Sequence, residues 1–277
     1  MEIGNSLPDD IFNNILIKFL DENTLTIING KLSSESRNFH INNELISRKE
    51  YEFEDYQLIQ SVYKKYVKRI NYGLIRRISE DTLPINLTHL TFGWHFDQQI
   101  GRGTLPDGLT HLSFGYNFNQ ILQKGVLPST LTHLTFGNDY NQVIGEGVLP
   151  KHIQSLKFGN DYNKVIGEGV LPDGLVQLSF GWEYNQPIDV GVLPKHIQSL
   201  KFGNNYDQLF KKGVLPDGLV QLSFGWEYNQ PIDVGVLPKH IQSLKFGNNY
   251  DQLFKKGVLP DGLVQLSFGW EYNQPID

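Results

Sequence analysis

The chain has 277 residues, a formal net charge of -6, 39% hydrophobic residues, 12% aromatics and no cysteine. The missing cysteines exclude a disulfide framework, thiolate catalysis and sulfur-ligated zinc, and the acidic balance argues against a sequence-independent grip on nucleic-acid phosphates.

The N-terminus, MEIGNSLPDD, is acidic where a secretory leader is basic. The most apolar early stretch, Ile11 to Leu20, is interrupted by Asn13, Asn14 and Lys18, so neither a signal core nor a membrane span is expected there. The expectation is an intracellular, cytoplasmic protein without membrane contact. Within LPDDIFNNILIKFLD, Ile11, Ile15, Leu16, Phe19 and Leu20 fall at helical spacing. Pro8 precedes them and Asp9 and Asp10 occupy the first turn, where the helix dipole favours negative charge. Asp21 to Thr24 break this helix, and Leu25, Ile27, Ile28 and Leu32 predict a second, shorter one. Residues 45–80, rich in Tyr, Lys and Glu, read as a helical linker that caps the segment C-terminal to it.

The run from Leu7 to about Phe39 resembles an F-box, with its Leu-Pro opening, acidic pair, spaced isoleucines, Phe19-Leu20-Asp21 and second Leu-containing helix. The resemblance implies that Leu7, Pro8, Ile11, Ile15, Leu16, Leu20 and Leu25 dock onto the Skp-type adaptor of a cullin-RING ubiquitin ligase, while a downstream repeat domain holds a protein substrate. The chain departs from the pattern at Gly30-Lys31-Leu32-Ser33-Ser34, which lacks the usual Val-x-[KR]-x-W-like end. The residues alone equally allow an ordinary pair of capping helices. The expected organisation is an F-box-like helical segment at 1–44, a helical linker and cap at 45–80, and repeats at 81–277.

In the repeats, Leu-Pro recurs at Leu83, Leu105, Leu127, Leu149, Leu171, Leu193, Leu215, Leu237 and Leu259, a constant spacing of 22. Phe-Gly follows nine positions later each time, from Phe92 to Phe268, and then an aromatic residue and Asn or Asp. Residues 169–212 and 213–256 are identical, so a 44-residue double unit has been duplicated. A 22-residue period is short for two helices and falls in the range of leucine-rich repeats. In Leu109-Thr110-His111-Leu112-Ser113-Phe114, residues 112 and 114 alternate with polar ones, which predicts one short strand per coil, stacked into a parallel sheet with Leu112, Phe114 and their equivalents inside. Proline suits the corner before the strand, and Gly101/Gly103, Gly145/Gly147 and Gly167/Gly169 mark the opposite corner. The Asn/Asp column, Asp97, Asn119, Asn141, Asn163, Asn185, Asp207, Asn229, Asp251 and Asn273, predicts a side-chain ladder that pairs backbone groups from coil to coil.

This skeleton closely resembles the FNIP repeat, seen here in variants such as Phe118-Asn119-Gln120-Ile121 and Tyr184-Asn185-Gln186-Pro187-Ile188, with Tyr replacing Phe in later copies. The resemblance implies a mainly β, leucine-rich-repeat-like solenoid and adds no chemistry. The expected fold is therefore nine 22-residue coils behind a small α-helical N-terminal domain.

No nucleophile elbow, paired acid motif or phosphate loop appears, so neither an active site nor a cofactor is expected. His89, His111 and His133 occupy equivalent strand positions and should stack about 5 Å apart on the solvent face, close enough to suggest a metal. Later copies carry Ser or Gln there, which favours a solvated surface and no metal. The candidate partner-binding surface is Trp182, Trp226 and Trp270, alternating with Asn160, Asn204 and Asn248 and each followed by Glu183, Glu227 or Glu271, together with Lys157, Lys201 and Lys245 in the intervening coils. The competing reading packs each Trp against the next coil. The sequence ends within the ninth unit, which raises self-association through the C-terminal coil as a further expectation.

Overall fold

The computed structural model describes residues 50–52, 67–79 and 82–276, all within one compact unit. The predicted N-terminal helices, with Leu7, Pro8, Ile11, Ile15, Leu16, Leu20 and Leu25, lie outside the described residues.

Among the described residues, eleven strands form one all-parallel sheet in strict chain order. They begin with β1 (Glu50–Glu52), β2 (Arg69–Tyr72), β3 (His89–Phe92) and β4 (His111–Ser113), and continue with one three-residue strand per coil to β11 (Gln265–Ser267). From β3 onward the register matches the sequence period, as in Leu112 opposite Leu90 and Leu134 opposite Leu112.

Each coil folds around a fixed set of apolar side chains. In the coil starting at Leu171, residues Leu171, Leu175, Leu178, Phe180, Tyr184, Ile188 and Val192 are all buried, none more than 7% exposed. The two rings stack on each other at 3.8 Å and on their equivalents in the next coil at 5.5 and 6.0 Å. A unit this small cannot enclose its apolar face alone, so the core is continuous along the sheet.

The corners follow from local chemistry. After Leu-Pro the chain turns back on itself, and Leu175 N–H donates to the Pro172 carbonyl at 3.0 Å, a bond repeated in the other coils. At the opposite corner Gly103, Gly147 and Gly169 adopt φ of 74°, 72° and 76°, a conformation that side chains with a Cβ adopt at a cost. The glycine after each Phe is constrained for a different reason: a Cβ on Gly137 or Gly181 would fall inside the carbonyl of the glycine one coil earlier.

The expected Asn/Asp ladder is continuous. Asn119 N–H donates to Asp97 Oδ1 at 2.9 Å, and the pattern repeats through Asn141, Asn163, Asn185, Asp207, Asn229 and Asp251 to Asn273. Gln120, Gln142, Gln186 and Gln208 donate a side-chain amide to the same oxygens.

One expectation is corrected. Within the segment expected to be helical at 45–80, Glu50–Glu52 and Arg69–Tyr72 are strands that extend the sheet, and no helix occurs among the described residues. Ile70 and Tyr72 alternate with Arg69 and Asn71 and are fully buried, so the period of two prevails over the helix-prone composition. The edge of β3 gains a paired neighbour in register, Arg69 opposite His89.

Candidate protein-binding face

Two surfaces could meet a partner: the outward positions of the short strands, and the turn after each Phe-Gly. On the strands, Lys157, Lys201 and Lys245 are exposed, each in register with Ser179, Ser223 or Ser267 on neighbouring strands. Consecutive lysines are thus two strand spacings apart, about 10 Å.

At the N-terminal end of this face stand the three histidines. Their rings stack at 4.1 and 4.2 Å with interplanar angles of 11° and 7°. The hydroxyls of Thr88, Thr110 and Thr132 each donate to a backbone carbonyl of the preceding coil at 3.0 to 3.1 Å. A hydroxyl has one hydrogen, so its 2.9 Å contact with the adjacent imidazole Nδ1 is an N–H···O bond from the ring. This fixes the proton on Nδ1 and leaves Nε2 as a bare acceptor. Parallel rings direct their lone pairs side by side, a poor arrangement for sharing one ion, and among the described residues no group of three or more His, Cys, Asp or Glu could hold a metal. Burial lowers the affinity of His89 and His111 for a proton, and neighbouring cationic groups lower it further, holding His111 at about 4.

The second surface is built by positions 12 and 13 of the unit, counted from the leucine of Leu-Pro. The amide of position 13 donates to the carbonyl of position 12 one coil earlier, as in Glu183 to Asn160, Asn205 to Trp182 and Glu227 to Asn204 at 2.8 to 2.9 Å. A second backbone ladder therefore fixes these side chains in register. Trp182 and Trp226 are 58% and 57% exposed, whereas Trp270 in the last described coil is 92% exposed. The following coil thus covers about a third of each tryptophan residue and leaves the larger part in solvent. At the other end Trp94 and Tyr116 stack face to face at 4.4 Å.

Beside the aromatic column runs an acidic one: Asp139, Asp161, Glu183, Glu227 and Glu271. The side-chain amides of Asn117, Asn205 and Asn249 donate to Asp139 Oδ2, Glu183 Oε2 and Glu227 Oε2 at 2.8 to 2.9 Å, orienting the carboxylates along the column. Burial raises the Asp161 carboxyl above its usual range, and Asp139 and Glu183 on either side add to the effect. Sequence reasoning singled out the tryptophans and lysines. It missed the threonine clamps on the histidines, the Trp94–Tyr116 stack and the side-chain amide bonds that orient the carboxylates, all of which need the three-dimensional register between coils.

The FNIP Repeat family matches the chain in nine overlapping windows, from residues 76–117 to 250–277. Among solved structures, CroV588, described as a novel circular LRR protein, is 46% identical and superposes with a TM-score of 0.75. The match covers 77% of this chain and 32% of that one, so this chain spans about a third of its length. No curated protein matches the chain.

Proposed function

We infer, from a chain that belongs to the FNIP repeat family, that this protein is a non-catalytic interaction subunit whose solenoid holds a protein partner. The observation that carries the reading is the turn face: large, half-exposed aromatic side chains and oriented carboxylates locked coil to coil by backbone hydrogen bonds. Such preorganisation lowers the ordering cost of binding, and exposed tryptophans are the side chains most often found at binding hot spots. No helix among the described residues is long and apolar enough to cross a membrane.

The more specific reading is a substrate-recruiting subunit of an SCF-type ubiquitin ligase. Residues 7–39 would bind the Skp-type adaptor through Leu7, Pro8, Ile11, Ile15, Leu16, Leu20 and Leu25, and catalysis would belong to the partners. It is supported by the F-box-like pattern preceding the repeats in the same chain. The competing reading is a repeat scaffold with no link to ubiquitin. A pull-down of the full chain with a Skp-type adaptor, against Leu7→Ala combined with Ile11→Ala, separates them. Capture abolished by the double substitution supports the ligase subunit, and no capture by the folded wild-type chain leaves the scaffold.

A further inference from the structure

Trp182-Glu183 and Trp226-Glu227 are separated by 44 residues, two coils, and Trp270-Glu271 continues the series. Two spacings of a parallel sheet are about 9.6 Å, and one turn of a polyproline II peptide, three residues at about 3.1 Å each, spans about 9.3 Å. A chain in the polyproline II conformation lying along the solenoid axis therefore brings every third side chain, all on one face, over a Trp-Glu pair. We propose that this file is a docking track for a peptide in the polyproline II conformation with a cationic residue at every third position. The proposal rests on reading the solenoid as a protein-binding surface and specifies the partner.

Charge supports the assignment. From Asn117 to Glu271, position 13 holds only Asn, Asp or Glu and no Lys or Arg. A guanidinium or ammonium over the exposed Trp ring gains a cation–π contact, and the carboxylate one residue on neutralises it. The Asn205 and Asn249 bonds hold Glu183 and Glu227 in place before the peptide arrives. Asp139, Asp161 and Glu183 repel one another in consecutive coils, and a bound cation relieves that repulsion.

Period matters as well as sign. Lys201 and Lys245 stand in the coils between successive Trp-Glu coils, on the adjoining strand face. They disfavour an unbroken run of positive charge and accept neutral or acidic residues between the cations.

The test uses the full chain and two fluorescently labelled peptides of identical composition: (Arg-Ser-Gly)5, and its isomer with all five arginines contiguous. At about 0.15 M salt the spaced peptide is expected to bind about ten-fold more tightly by fluorescence anisotropy, a difference of about 1.4 kcal/mol. Trp182→Ala with Trp226→Ala, and separately Glu183→Gln with Glu227→Gln, should each erase that preference while circular dichroism and the melting midpoint confirm the fold. Equal affinity of the two isomers would reduce the face to simple charge attraction and overturn the proposal. So would no binding by either peptide, or a preference that survives both variants. The adaptor pull-down is independent of this face, so a failed peptide experiment leaves the ligase reading to be judged by its own assay.

Discussion

Replacing Tyr184 with phenylalanine removes one oxygen atom from the solenoid core. The phenolic hydroxyls of Tyr140, Tyr184, Tyr206, Tyr228 and Tyr250 are buried with no hydrogen-bond partner. A buried hydroxyl left unpaired costs about 1–3 kcal/mol relative to its hydrated state. The same column carries Phe96 and Phe118 in the first coils, both fully buried, and Phe118 stacks on Tyr140 at 6.1 Å, the spacing the tyrosines keep among themselves. A phenylalanine therefore packs here without rearrangement, and Tyr184→Phe is expected to stabilise the protein by about 1 kcal/mol. Tyr140, Tyr184 and Tyr228 lie two coils apart, so their effects should add to about 3 kcal/mol in the triple variant. Guanidinium denaturation followed by circular dichroism measures this as a raised midpoint at unchanged slope. Burial also raises these phenols above their ordinary range. The folded chain then keeps protons that the unfolded chain releases above about pH 10, so stability falls with rising pH there, and the triple variant should flatten that decline. A loss of 1 kcal/mol or more per substitution would refute the reasoning, because it would mean that the hydroxyls are paired.

The two glycine columns should respond differently to alanine. Gly181→Ala drives a methyl group into the Gly159 backbone and should cost about 3 kcal/mol or more, whereas Gly213→Ala meets nothing within 4 Å and carries only the left-handed penalty of about 1–2 kcal/mol; thermal denaturation of both reads the contrast. Asn185→Ala strands the Asp207 amide, 3.0 Å from Asn185 Oδ1, and the Gln208 side-chain amide at 2.8 Å, and should destabilise by about 1–3 kcal/mol in the same assay. Asn185→Asp should be tolerated, since Asp207 already accepts from Asn229 N–H at 2.9 Å. His111, held at about 4, should remain neutral to well below pH 6 in an NMR titration. Between pH 6.5 and 4 the unfolded chain binds the extra proton, so stability rises with pH across that window, and His111→Gln, which places the residue found at Gln177, should reduce the slope.

What the sequence determined by itself is the repeating unit. A 22-residue period with apolar positions at fixed phase leaves one way to bury them, so Leu112 and Phe114 inside and the Asn/Asp column as a backbone ladder could be read from single coils. The strand alternation, the Leu-Pro turn and the glycine corner are local chemistry and need no partner coil. Other features exist only between coils. Two strands precede the repeats where a helical composition pointed elsewhere, because Ile70 and Tyr72 complete the open edge of β3, and edge pairing is a tertiary property. Gly137 is visible in the sequence only as part of the recurring Phe-Gly pair, and its constraint, the Gly115 carbonyl one coil earlier, exists only between coils. The histidines gain their fixed tautomer from hydroxyls that bond the coil before. The Trp-Glu file becomes a surface because the position 12 to 13 backbone bonds hold residues 22 apart in the chain side by side, a proximity that sequence distance conceals and stacking creates.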